Sequence, residues 1–79
     1  MVLEDNDYSV VKKEYIITFE NGEYSISCTE LNSDGKIVDF CIVRNITSDK
    51  RKAKRLFNLI CRNDVSACTL YDVIYDFIC

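Results

Sequence analysis

Tyr15, Ile17 and Phe19 alternate with Ile16, Thr18 and Glu20, and this period of two is that of a half-buried β-strand. Asn21-Gly22 follows, the pair favoured by a two-residue type I′ hairpin turn, in which both central residues need positive φ. Tyr24, Ile26 and Cys28 then alternate with Ser25, Ser27 and Thr29. A return strand folded at this turn sets Phe19 opposite Tyr24, Ile17 opposite Ile26 and Tyr15 opposite Cys28. Asn32-Ser33-Asp34-Gly35 is the next turn. A three-residue loop with Gly35 left-handed pairs Cys28 with Phe40 and Ile26 with Ile42, and predicts Val38, Phe40 and Ile42 on the core face. A four-residue loop would bring Asp39 and Cys41 there instead, a poorer burial.

Beyond this point the period lengthens. Thr47 or Ser48 can cap a helix with Asp49 favourable in its first turn, and Ala53, Leu56, Phe57 and Ile60 form its buried stripe. It should end near Arg62 or Asn63. After a short connection over residues 64–68, Thr69 reads as the N-cap of a last helix beginning at Leu70, with Asp72 completing an acidic variant of the capping box. Leu70, Val73, Ile74, Phe77 and Ile78 keep the spacing of one buried stripe, Tyr71 and Tyr75 flank it, and Asp72 and Asp76 share the wet face. Phe77, the largest side chain of the stripe, is the expected core anchor. Together the elements predict an α+β fold: a three-stranded antiparallel β-meander with two helices packed on one face, βββαα. A single small domain should span residues 1–79, with residues 1–9, acidic and aperiodic, as a loose N-terminal segment.

Composition narrows the class. A hydrophobic content of 48% without low-complexity tracts marks a globular chain rather than a disordered one. No apolar run approaches the ~20 residues of a membrane helix, and the start Met1-Val2-Leu3-Glu4-Asp5 is acidic where a signal peptide is basic, so a cytoplasmic location without a membrane partner is expected. The cysteines number five, an odd count without a Cys-x-x-Cys spacing, and histidine is absent. Neither a disulfide framework nor a usual zinc site fits that pattern. Cys28, Cys41 and Cys61 read as packed free thiols. The sequon Asn45-Ile46-Thr47 has no meaning in a cytoplasmic setting.

Three motifs carry a family likeness: Tyr24-Ser25-Ile26 in a strand, Ile46-Thr47-Ser48-Asp49 leading into a helix that closes on Leu59-Ile60-Cys61, and the terminal Leu-x-Asp-Val-Ile-x-Asp-Phe from Leu70 to Phe77. From Tyr24 onward the chain resembles a family of small uncharacterised proteins of Gram-positive bacteria, a domain of unknown function. The resemblance implies a short hairpin or meander followed by two helices and attaches no activity. The family often has a histidine just before the terminal Leu; this chain has Thr69, so no His-centred site is implied.

The candidate chemistry is sparse. Lys50, Arg51, Lys52, Lys54, Arg55 and Arg62 lie in the first helix of a chain whose net charge is −3, so the surface is bipolar. Arg51, Lys54 and Arg55 sit opposite the buried stripe, an ordinary solvated face or a surface for an acidic protein. A nucleic-acid partner is disfavoured by a pI near 4.8 and by the lack of interleaved aromatics or a Gly-rich loop. Leu59 lies off the stripe and is a candidate contact point. Asp72 and Asp76 form a carboxylate pair on a polar helix face, too few oxygens for a cation site and not in a cleft. Cys68, next to the expected helix start, is the best-placed reactive thiol. No catalytic, cofactor or metal site is expected. What remains is surface: a non-enzymatic interaction or regulatory module that binds a protein partner or itself, a homodimer included, through an open sheet edge and through Arg51, Lys54, Arg55, Leu59, Tyr71, Tyr75 and Asp76. The alternative is a nucleic-acid-binding regulator using the basic first helix.

Overall fold

Asn21 and Gly22 both adopt positive φ, 53° and 84°, as the type I′ turn requires, and they join strands β1 (Lys12–Glu20) and β2 (Glu23–Leu31). The computed structural model describes residues 9–78; of the expected loose segment 1–9, only Ser9 falls among them, exposed. The hairpin register is the expected one, with Phe19 opposite Tyr24, Ile17 opposite Ile26 and Tyr15 opposite Cys28. Strand β3 (Ile37–Thr47) pairs on the other side of β2, and helices α1 (Lys50–Arg62) and α2 (Ala67–Ile78) complete a βββαα order. Ile26 and Cys28 pack with Leu56 and Ile60 of α1 and with Leu70 and Ile74 of α2, so both helices lie on one face of the meander.

The second turn forms as expected, but the expected core face of β3 does not. Gly35 is left-handed at φ 79°, and Asn32 and Lys36 close the loop through a 2.9 Å backbone bond. Asn32 Oδ1 accepts from the amides of Asp34 and Lys36, a side-chain brace that tightens the turn. Leu31 therefore faces Ile37, as the three-residue loop dictates. One residue on, a β-bulge at Val38 breaks the parity: Glu30 pairs with Asp39, Cys28 with Cys41, Ser27 with Ile42 and Ile26 with Val43. Cys41 and Val43 turn toward the core, whereas Phe40 and Ile42, expected inside, are 53% and 38% exposed on the far face. Val38 is half-buried. A one-residue slip reverses every side chain beyond it.

Both helix starts also differ from expectation. Asp49, not Thr47 or Ser48, is the N-cap of α1, its Oδ1 accepting from the amides of Arg51 and Lys52 at 2.9 and 3.2 Å. Thr47 Oγ1 accepts from the Asp49 amide and fixes the approach. Ala53, Leu56 and Ile60 are buried and Phe57 half-buried, as the period of the stripe required. Helix α2 begins at Ala67, three residues before Leu70, so Thr69 is not its cap. Its first amide, that of Ala67, donates to Glu30 Oε2 at 2.8 Å, a carboxylate supplied by the sheet. Leu70 and Ile74 are almost wholly buried, Val73 and Phe77 are half-buried, and Ile78 is exposed.

Candidate functional site

The turn between the helices is held from beneath by one row of polar side chains on the inner face of the sheet. Helix α1 ends with Asp64 left-handed at φ 51°. The Val65 amide donates to the Ile60 carbonyl and the Asp64 amide to that of Cys61, a Schellman ending with aspartate where glycine is usual. Lys13 Nζ donates to the Asp64 carbonyl and pairs with its Oδ2 at 3.0 Å. Tyr15 donates its hydroxyl to the Val65 carbonyl at 2.6 Å, and Cys28 Sγ lies 3.8 Å from the same oxygen. With Glu30 on Ala67, four sheet residues thus set where α1 stops and α2 starts.

That placement brings the C-terminal half of α1 beside the C-terminal half of α2. Between them lies a shallow open groove of about 300 Å³, lined by Arg55, Asn58, Leu59 and Arg62 of α1 and Phe77 of α2. Leu59 and Phe77, both half-buried, supply apolar surface, and Arg55 and Arg62 supply positive charge without a carboxylate in ion-pair range among the described residues. Arg55 and Arg62 sit four before and three after Leu59, so all three share one flank of the helix. Lys50, Arg51 and Lys52 crowd the first turn of α1, where the macrodipole disfavours cations and where no acidic residue lies within the turn. Asp49, as the cap, opposes that charge.

Of the residues singled out in the sequence, the fold brings Arg55 and Leu59 into the groove. Arg51 and Lys54 are exposed on α1 outside it. Tyr71 and Tyr75 stack on each other at 5.2 Å between ring centroids and are each 53% exposed. At 100° per residue they fall on the flank of α2 turned away from Phe77, so they form a separate surface. Asp76 is exposed on the arc between Tyr75 and Phe77. Asn58, Arg62 and Phe77 were not named as contact residues; the off-stripe Leu59 and its neighbours at i−4 and i+3 were the available signal. Cys68 is exposed in the first turn of α2, 3.3 Å from Ser66 Oγ. The Glu30 carboxylate already accepts from the first amide of that helix. Cys61 is exposed rather than packed. Among the described residues no three Cys, Asp or Glu side chains converge as metal ligands, and no helix is long and apolar enough to cross a membrane.

Titration reports on the same row. Burial, followed by the nearby Glu30 carboxylate, pushes the wholly buried Cys28 thiol up to about 11 from 9.0. Burial, then Cys28 and Asp64, raises the Tyr15 hydroxyl as well. For both groups the folded value exceeds the unfolded one, so the fold favours the protonated form. Their contribution is complete below the unfolded values and is lost as pH rises through the folded ones. Urea midpoints should stay level through neutral pH and fall between about pH 9 and pH 11, with about 2 kcal/mol traceable to Cys28. Cys28→Ala should remove that first part of the alkaline decline; an unchanged profile would show that the thiol is not held protonated.

A family model described as "Family of unknown function (DUF6514)" matches residues 2–79. Among curated proteins and among solved structures no match is found.

Proposed function

We propose, from the premise that the chain belongs to this family of unknown function, that the protein is a small non-enzymatic interaction module of the Gram-positive cytoplasm. Its groove between α1 and α2 receives a protein segment bearing an acidic residue beside a large apolar one. The observation that carries this reading is the pairing of Arg55 and Arg62, which have no carboxylate in ion-pair range among the described residues, with the apolar surface of Leu59 and Phe77. An apolar anchor fills the floor while a carboxylate meets the guanidinium groups, which favour planar, bidentate recognition. An odd cysteine count at spacings foreign to disulfide frameworks supports the cytoplasmic setting.

Affinity capture from the host's lysate, with the parent compared against Leu59→Glu and Arg55→Glu/Arg62→Glu, tests the assignment. Both variants alter exposed or half-exposed positions and should fold as the parent does, yet lose the protein captured by it. Capture unchanged in both would remove the groove from consideration. The second reading, a nucleic-acid regulator, draws on the exposed Arg51, Lys54 and Arg55. It predicts retained RNA or DNA that is nuclease-sensitive, persists at physiological salt and is lost in an Arg51→Glu/Lys54→Glu/Arg55→Glu variant. With one basic face on a chain of net charge −3, binding that fades by physiological salt is expected instead.

A further inference from the structure

We infer that the sheet face opposite the helices is a self-complementary surface on which a second copy of this chain docks. The groove plays no part in this, since it lies on the other side of the molecule. Alternation from the buried Ile26 and Cys28 sends Ile16, Ser27 and Ile42 to that face, and the register places them side by side in one row across all three strands. Ile16 and Ile42 are 52% and 38% exposed, and Phe40 next to them is 53% exposed. The small central Ser27, 8% exposed, is recessed between the two isoleucines, which stand proud of it as the contact points. No helix of the described residues covers this apolar band.

The charges around the row select the occupant. Lys12 and Glu20 stand four residues to either side of Ile16, and Phe40 and Arg44 two residues to either side of Ile42. An axis running across the strands, over the Ile16–Ser27–Ile42 row, superposes that row on itself and reverses strand direction, as aligned packing of two sheets allows. Lys12 of one copy then meets Glu20 of the other, twice by symmetry, and Arg44 meets the ring of Phe40, a cation–π arrangement. Arg44 already reaches Glu20 across β2 at 3.8 Å, and Lys12 pairs with Glu14 at 3.2 Å, so these side chains lie along this face in the single chain. Opposite charges balance closely here, whereas the strongly positive α1 surface would repel its own copy. A face of near-zero charge with reciprocal signs fits itself better than it fits a strongly acidic or basic partner.

Three strands at the usual spacing and about eight residues of length give a footprint of roughly 400 Å² per copy, about half that of a standard interface partner. The dimer is therefore weak and concentration-dependent. Sedimentation equilibrium from about 10 µM to about 1 mM should show a monomer–dimer equilibrium in the parent. Lys12→Glu and Glu20→Lys, each alone, place like charges opposite each other in the homodimer and should weaken it at least about tenfold; Ile42→Lys should do the same. The decisive sample is the equimolar mixture of Lys12→Glu with Glu20→Lys. Across the proposed axis both charge contacts are complementary again, so two variants that fail to self-associate should associate with each other. Circular dichroism of each variant confirms that the fold is kept. A parent monomeric at about 1 mM overturns the proposal and leaves this face to a different partner. A dimer that survives Ile42→Lys, or a mixture that recovers nothing, overturns it too, the former assigning self-association to an open sheet edge.

Discussion

Leu70→Ala will lower the unfolding free energy by about 3–4 kcal/mol, while Phe77→Ala in the same helix will lower it by only about 1–2 kcal/mol. Leu70 has no exposed surface and sits between the helices and the inner face of β2, so truncation leaves a cavity that the packed neighbours cannot fill. Phe77 is larger, yet it is half-buried at the wall of the groove, where water and Leu59 already meet part of its ring. Size alone would have put the greater loss at Phe77. A small domain has a total margin on the order of 4–12 kcal/mol, so Leu70→Ala should melt roughly 15–20 °C below the parent. Urea unfolding of the two variants checks the order. Equal losses would mean that Phe77 is sealed under cover this structure does not give it, and the groove would have to be redrawn. If the order holds and Phe77→Ala also loses partner capture, one residue separates packing from recognition.

The second large effect is expected at Glu30, a buried polar residue whose main contribution is a hydrogen bond rather than packing. Glu30→Ala should cost about 2–4 kcal/mol, because the buried Ala67 amide loses its acceptor and the start of α2 loses the charge that complements its dipole. Glu30→Gln keeps an acceptor oxygen of the same reach and should cost less than about 1.5 kcal/mol. The gap between the two variants measures the hydrogen bond rather than the volume. Amide exchange at Ala67 and Cys68 supplies a local readout: these protons should exchange much faster in Glu30→Ala and nearly normally in Glu30→Gln. A Glu30→Ala protein with parental stability and exchange would show that the start of α2 does not depend on this carboxylate.

Glu30 also explains one place where local reading failed. Thr69 and Asp72 satisfy every short-range rule for a helix start, but a carboxylate 37 residues earlier in the chain caps the helix one turn sooner. Local signals rank caps only against their own neighbours. The groove was half legible for a related reason. Leu59 stood off the buried stripe with Arg55 and Arg62 at helical spacing, and this announced a surface of interest on α1. That Phe77 would form the opposite wall required the angle between two helices, which is set by Lys13, Tyr15, Cys28 and Glu30 holding the connecting turn.

By itself, the order of residues determined the element types, the hairpin register and the buried stripe of α1, because each rests on interactions within a few residues or across one tight turn. Asn21-Gly22 selects the turn, and the alternation in Tyr15–Phe19 and Tyr24–Cys28 agrees with it, so two local signals converge on one register. The left-handed Gly35 and its three-residue loop were equally legible. Only the tertiary structure decided which face of β3 is inside. The bulge at Val38 exchanges Phe40 and Ile42 for Cys41 and Val43 beneath the helices, and the alternation within the strand carries no signal for an extra residue of this kind. The same slip moved two large apolar side chains to the outer face and made the surface on which the second copy is proposed to dock.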